Sequence, residues 1–134
     1  PLGSIVGAFN LDSAAVAPRG GPVAIIGEGL APFDAEVARV VMASGRSIAG
    51  QDIAAQFLRR QDGWALLRAD VPTVLVSSSF ADPEHFERFM ATRYHNPEDE
   101  IAGIELGGAA QDVQLHLKLV RHFADPRNYP VPAP

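Results

Sequence analysis

Residues 71 to 78 read Val-Pro-Thr-Val-Leu-Val-Ser-Ser, a short run in which the apolar side chains are nearly continuous. A strand with one wet face alternates apolar and polar residues, whereas a strand covered on both faces does not. The run therefore predicts a central strand with packing layers above and below it, the arrangement of an α/β domain. Pro72 has no N–H to give to a ladder, so it belongs at the beginning of that strand. A chain of 134 residues is long enough to build one such core. Its composition, 47% apolar and 20% charged, is that of a globular domain.

Around this strand the pattern predicts a series of elements. Residues 5 to 11 form a short buried strand that ends at Asp12, and Val23-Ala24-Ile25-Ile26 form a second. A helix begins near Pro32 and buries Phe33, Val37, Val40 and Val41, the spacing of one helical face, with Gly45 as its stop. Asp52 caps a short helix bearing Ile53 and Phe57, and Asp62 is the N-cap of another carrying Trp64, Leu66 and Leu67. Asp82-Pro83 opens a helix with cap and proline in their favoured places, and Phe86, Phe89 and Met90 as its apolar side. Gly107-Gly108 precede the longest helix, about 109 to 124. Val113, Leu117 and Val120, together with Leu115, Leu119 and Phe123, give it a stripe broad enough to predict packing against a sheet.

The domain spans residues 5 to 125, and the proline-rich residues 126 to 134 read as a surface tail. Pro1-Leu2-Gly3-Ser4 resembles the scar of a cleaved expression tag. The sequence then enters an apolar run directly at Ile5, which predicts a chain cut from a larger protein. A net charge of −5 argues against nucleic acid as a partner, and the absence of cysteine excludes disulfides and thiolate metal sites. No apolar run approaches the roughly 20 residues of a membrane span.

Two stretches carry possible chemistry. Asp12 ends a strand, where open α/β sheets place functional groups, although an Asp that caps a turn has the same sequence. In Arg93-Tyr94-His95-Asn96-Pro97-Glu98-Asp99, Pro97 fixes its own φ and disfavours helix at Asn96, so His95 belongs on a defined loop. An imidazole beside the carboxylates Glu98, Asp99 and Glu100 suits a metal ligand, while a surface histidine in a polar turn is the plainer reading. Gly27-Glu28-Gly29 between a strand and a helix invites a nucleotide. The third glycine of the dinucleotide fingerprint is missing, however, and no Gly-Lys-Ser/Thr follows, so a tight turn explains it better. His116 and His122 are not four residues apart and read as ordinary helix residues.

Asn10-Leu11-Asp12 at a strand end, the Val-Pro-Thr-Val-Leu-Val strand, Tyr94-His95-x-Pro97-x-Asp99 and a final helix resemble the C-terminal half of the di-zinc aminopeptidase family. Bacterial leucyl aminopeptidases, glutamate carboxypeptidase and the transferrin-receptor protease-like domain share that fold. The resemblance implies part of a mixed sheet flanked by helices, in a metallopeptidase that hydrolyses peptides with a zinc-activated water. It implies Asp12 and His95 as metal ligands, one for each zinc, and Asp99 as a residue that fixes the loop or hydrogen-bonds a ligand. At Gln61-Asp62-Gly63, where many members have Ser-Asp-His, Asp62 matches and Gly63 departs. The family's remaining ligands and its general base come before the matching region and have no counterpart here. The resemblance thus implies weak or no zinc binding and no peptidase activity for this polypeptide alone. Its partners would be a peptide in the complete enzyme, and the missing half or a second copy, paired through the strand ending near Phe9. Periplasmic or secreted location is implied by the family alone. A non-catalytic α/β interaction module and a small nucleotide-binding protein using Gly27-Glu28-Gly29 are the alternatives.

Overall fold

The computed structural model describes residues 5 to 50 and 54 to 129, with Ala54 and Ala55 described in their backbone only. Strands β1 (Ala8–Asn10) and β2 (Ala24–Ile26) are followed by helix α1 (Asp34–Ala43), then by the short helices α2 (Ala54–Phe57) and α3 (Gly63–Leu67). Strand β3 (Thr73–Ser77), helix α4 (Pro83–Thr92) and the long helix α5 (Leu106–Phe123) complete the order. The fold is α/β, built on a three-stranded mixed sheet in the order β1-β3-β2. β1 runs parallel to β3 with Phe9 opposite Val74, and β2 runs antiparallel to it with Ile25 opposite Val76.

All five residues of β3 are buried, as the continuous apolar run predicts. The side chains still alternate between faces. Val74 and Val76 join Phe33, Val37 and Val41 of the α1 region and Leu115, Leu119 and Phe123 of α5 on one side. Leu75 meets Ile26, Phe80 and Phe86 on the other, where Phe57 and Met90 close the layer. Pro72 lies just before β3, and its carbonyl accepts from Ala8 N at 2.8 Å, so the missing N–H costs the sheet nothing.

The helix signals hold in several places. Asp82 Oδ1 accepts from His85 N at 3.2 Å, and Pro83 occupies the first turn of α4. Gly45, at φ +84°, closes α1 in a left-handed step, and Arg46 N reaches back to Val41 O at 3.3 Å.

Other expectations are corrected. β1 is shorter than residues 5 to 11 and only half-buried, because it is an edge strand with a single ladder, to β3. Asp62 stands at the start of α3, but its side chain accepts no capping bond; Gln61 Oε1 takes Gly63 N instead, at 2.7 Å. The expected cap at Asp52 and the helix residue Ile53 lie outside the described residues. α5 starts at Leu106, so Gly107 and Gly108 are inside its first turn, with Glu105 Oε1 accepting from Gly107 N at 2.6 Å. A Cβ on Gly108 would lie 2.3 Å from Ala17 O, and this close approach requires glycine there. Only half of the broad α5 stripe is covered: Leu115, Leu119 and Phe123 are buried, whereas Val113, Leu117 and Val120 are each more than half exposed. Among the described residues no helix is long and apolar enough to cross a membrane.

Candidate functional site

Because β1 and β3 are parallel, the chain leaves both strands at the same edge of the sheet. At the end of β1, Asn10 Nδ2 donates to Gln61 Oε1 at 2.8 Å, and the same oxygen accepts from Gly63 N. Buried Gln61 thus ties the end of β1 to the start of α3. A Cβ on Gly63 would lie 2.5 Å from Gln61 Oε1 and 2.7 Å from Thr73 Cγ2, so this backbone has no room for a larger residue there. Asp12 follows, exposed, with its Oδ1 accepting from Ser13 Oγ at 3.1 Å. Ser13 is held at φ +49°, which turns the chain sharply away from the strand.

The loop after α4 comes to the same edge. Tyr94 and Asp12 line one narrow cleft of about 40 Å³, with Gln61, Phe80, Phe86 and Met90 among its walls. The His95 ring stacks on Tyr94 with centroids 3.9 Å apart and planes inclined by 16°. His95 adopts φ +58°, a left-handed conformation that is uncommon for a residue with a side chain. The loop is fixed by Asn96, whose Oδ1 accepts from Glu98 N at 2.9 Å and whose carbonyl accepts from Asp99 N at 3.1 Å. Asp99 and Ser13 face a second cavity of about 190 Å³, which Arg93 also lines. The fold therefore brings together the loops bearing Asp12, His95 and Asp99. Asp62 remains exposed at the head of α3, outside that cleft. Among the described residues no group of three His, Cys, Asp or Glu side chains is arranged to hold a metal ion.

Two polar clusters are absent from the sequence reading. Asp112 on α5 is fully buried, accepting from Ser78 N and Ser78 Oγ, both at 2.8 Å, with Arg46 Nη1 at 3.4 Å. Arg46 also donates to Gly21 O at 2.9 Å. This network joins α5, the segment after β3, the turn after α1 and the loop before β2. The signal was present in the sequence: positions 108, 112, 115 and 119 share one helical face, and Asp112 is the polar residue on it. The second cluster sits between α1 and α5, where Glu36 takes Arg39 Nε at 2.9 Å and a short contact from His122 Nε2. Arg39 holds the Glu36 carboxyl at about 2, against an ordinary 4.5; burial opposes the shift and His122 adds to it. His116 Nε2 lies 2.7 Å from Val76 O. Both helix histidines are thus occupied in packing α5.

The Gly27-Glu28-Gly29 turn is closed onto the Asp34 carboxylate. Gly29 N donates to the Asp34 carboxylate, and Ala31 N donates to the same oxygen at 3.3 Å. Gly27 and Gly29 adopt φ +106° and +86°, as a tight turn requires. Comparison with known proteins finds no matching family model, no matching curated protein and no matching solved structure.

Proposed function

We propose that the chain is the C-terminal part of a di-zinc exopeptidase domain and contributes one ligand to each metal, Asp12 and His95. The observation that carries this reading is the cleft walled by Asp12 from the end of β1 and by Tyr94, on which His95 is stacked. Ser13 beside Asp12, and His95 itself, are held in left-handed backbone conformations. Such conformations cost of order 1–3 kcal/mol each and cluster where a side chain must be aimed. The fit to zinc is partial. Among the described residues Asp12 accepts a hydrogen bond from the neighbouring Ser13 hydroxyl and the exposed His95 ring stacks on Tyr94, which leaves both with lone pairs for a metal. A tetrahedral centre needs further donors. Zinc bound there would supply a water of lowered pKa and polarise a peptide carbonyl.

In this reading Tyr94 orients the His95 ring, the Asn10–Gln61 bond holds the strand end that presents Asp12, and Asp99 belongs to the loop that places His95. Peptide hydrolysis belongs to the complete domain, whose other ligands and proton-carrying carboxylate this chain lacks. The exposed α5 face of Leu106, Val113, Leu117 and Val120, and the outer edge of β1, are surfaces the rest of such a domain would cover. The same surfaces support the alternative of a non-catalytic interaction module. A Co²⁺ titration followed by amide NMR separates the two readings. Joint paramagnetic broadening at residues 12–13 and 94–95, lost in Asp12→Asn and in His95→Gln, is expected for the metallopeptidase part. Broadening centred on His85, His116 or His122 instead, or none shared by the two loops, refutes it.

A further inference from the structure

Two arginines of the described residues are half-buried, Arg46 and Arg93. Arg46 directs its guanidinium at Gly21 O, Pro22 O and Asp112. Among the described residues the Arg93 side chain has no hydrogen bond, ion pair or aromatic partner. The guanidinium end of Arg93 crowds Gly103, in the place that a Cβ there would take.

Arg93 stands between two adjoining cavities. One, of about 250 Å³, is bounded by His85, Arg88, Thr92 and Glu105; the other, of about 190 Å³, reaches Ser13 and Asp99. Val16 and Phe89 give both an apolar wall. The neighbouring charges are already engaged or turned aside. Arg88 pairs with Glu84 at 2.7 Å, His85 Nδ1 lies 2.9 Å from Asp82 Oδ2, and Glu105 accepts from Gly107 N. Asp99, on the far wall, forms no ion pair with Arg93. A planar fork of unspent donors, half removed from water beside an aromatic wall, matches a carboxylate attached to an apolar body. Each cavity alone is smaller than a usual ligand pocket, and the two together suit one residue and its neighbour.

We infer that Arg93 binds the free C-terminal carboxylate of a short peptide, with the last side chain lying against Phe89 and Val16. The choice of a peptide rests on the exopeptidase reading, since the second cavity opens beside Ser13 and the Asp12 strand end; the carboxylate site itself does not. Calorimetric titration in the presence of a chelator, with N-acetyl-L-phenylalanine and with its amide, tests the site without any metal. The acid is expected to bind at least tenfold more tightly than the amide. Arg93→Gln should remove that preference and Arg93→Lys retain part of it. Gly103→Ala, whose methyl would take the place of the guanidinium, should weaken the acid as Arg93→Gln does, and Arg68→Gln, outside both cavities, should leave it unchanged. Each variant is compared by its amide spectrum away from the cavity, so that loss of fold is not read as loss of binding. Equal binding of acid and amide, or a preference that survives Arg93→Gln, overturns the inference. A preference for the acid combined with a failed Co²⁺ experiment leaves the carboxylate site standing and removes the exopeptidase reading.

Discussion

Asp112 has no exposed surface, and its carboxylate is the point where four separate segments of the chain meet. Removing one partner of a buried pair leaves the other uncompensated, so Asp112→Ala should cost about 3–5 kcal/mol in urea unfolding. A cost below about 1 kcal/mol would mean that the network contributes no net stability. Glu36 makes a smaller, pH-dependent contribution. Its folded pKa of about 2 lies below its ordinary 4.5, so the stabilisation is fully present above pH 4.5 and is lost as pH falls towards 2. Glu36 and Arg39 are 26% and 57% exposed, so solvent screening keeps the effect under about 1 kcal/mol. Glu36→Gln should therefore narrow the difference in urea midpoint between pH 5 and pH 2. At this scale the sequence was legible for Asp82, Pro83 and Gly45, whose roles follow from local backbone chemistry. It was silent on Gln61 and Arg93, because a long polar side chain takes its meaning from whatever lies across the fold.

Among the elements, α5 was the one whose periodicity misled. Its sequence offers apolar residues on two sides, Leu115-Leu119-Phe123 and Leu106-Val113-Leu117-Val120, and a single helix lays one of them on this sheet. The choice is made by contacts of high sequence separation: Gly108 against Ala17, and Asp112 against Ser78. Leu119→Ala should accordingly cost about 2–5 kcal/mol, through lost burial plus the cavity left behind. Leu117→Ala, on the exposed side, should stay within about 0.5 kcal/mol. Paired urea denaturation curves read the difference directly, and equal costs would mean that both sides are packed in solution. β1 shows the opposite limit. Its apolar run is longer than its ladder, because a strand extends only as far as a partner exists, and β3 offers it a single side. The strand pattern states which residues tolerate burial but not where the neighbouring strand stops.

For the molecule as a whole, the layered architecture was legible from β3, since a strand without a polar face requires cover on both sides. The shared cleft of Asp12 and Tyr94 was not legible in any local pattern, because nothing local reports which loops meet at one end of the sheet. β3 has a further consequence, in the order of events along the chain. Every ladder pair of the sheet includes a β3 residue, so neither β1 nor β2 can form a sheet hydrogen bond until Thr73 to Ser77 are present. As the polypeptide leaves the ribosome, the described residues before Val71 have helices and the single Val23–Ile48 bridge to form, but no central strand to join. The apolar segments at Phe9 and Ile25 must wait, unpaired, for a strand that arrives more than fifty residues later. A topology of this kind places its decisive contacts late and far apart, the condition under which chains fold slowly and depend most on being kept from one another meanwhile.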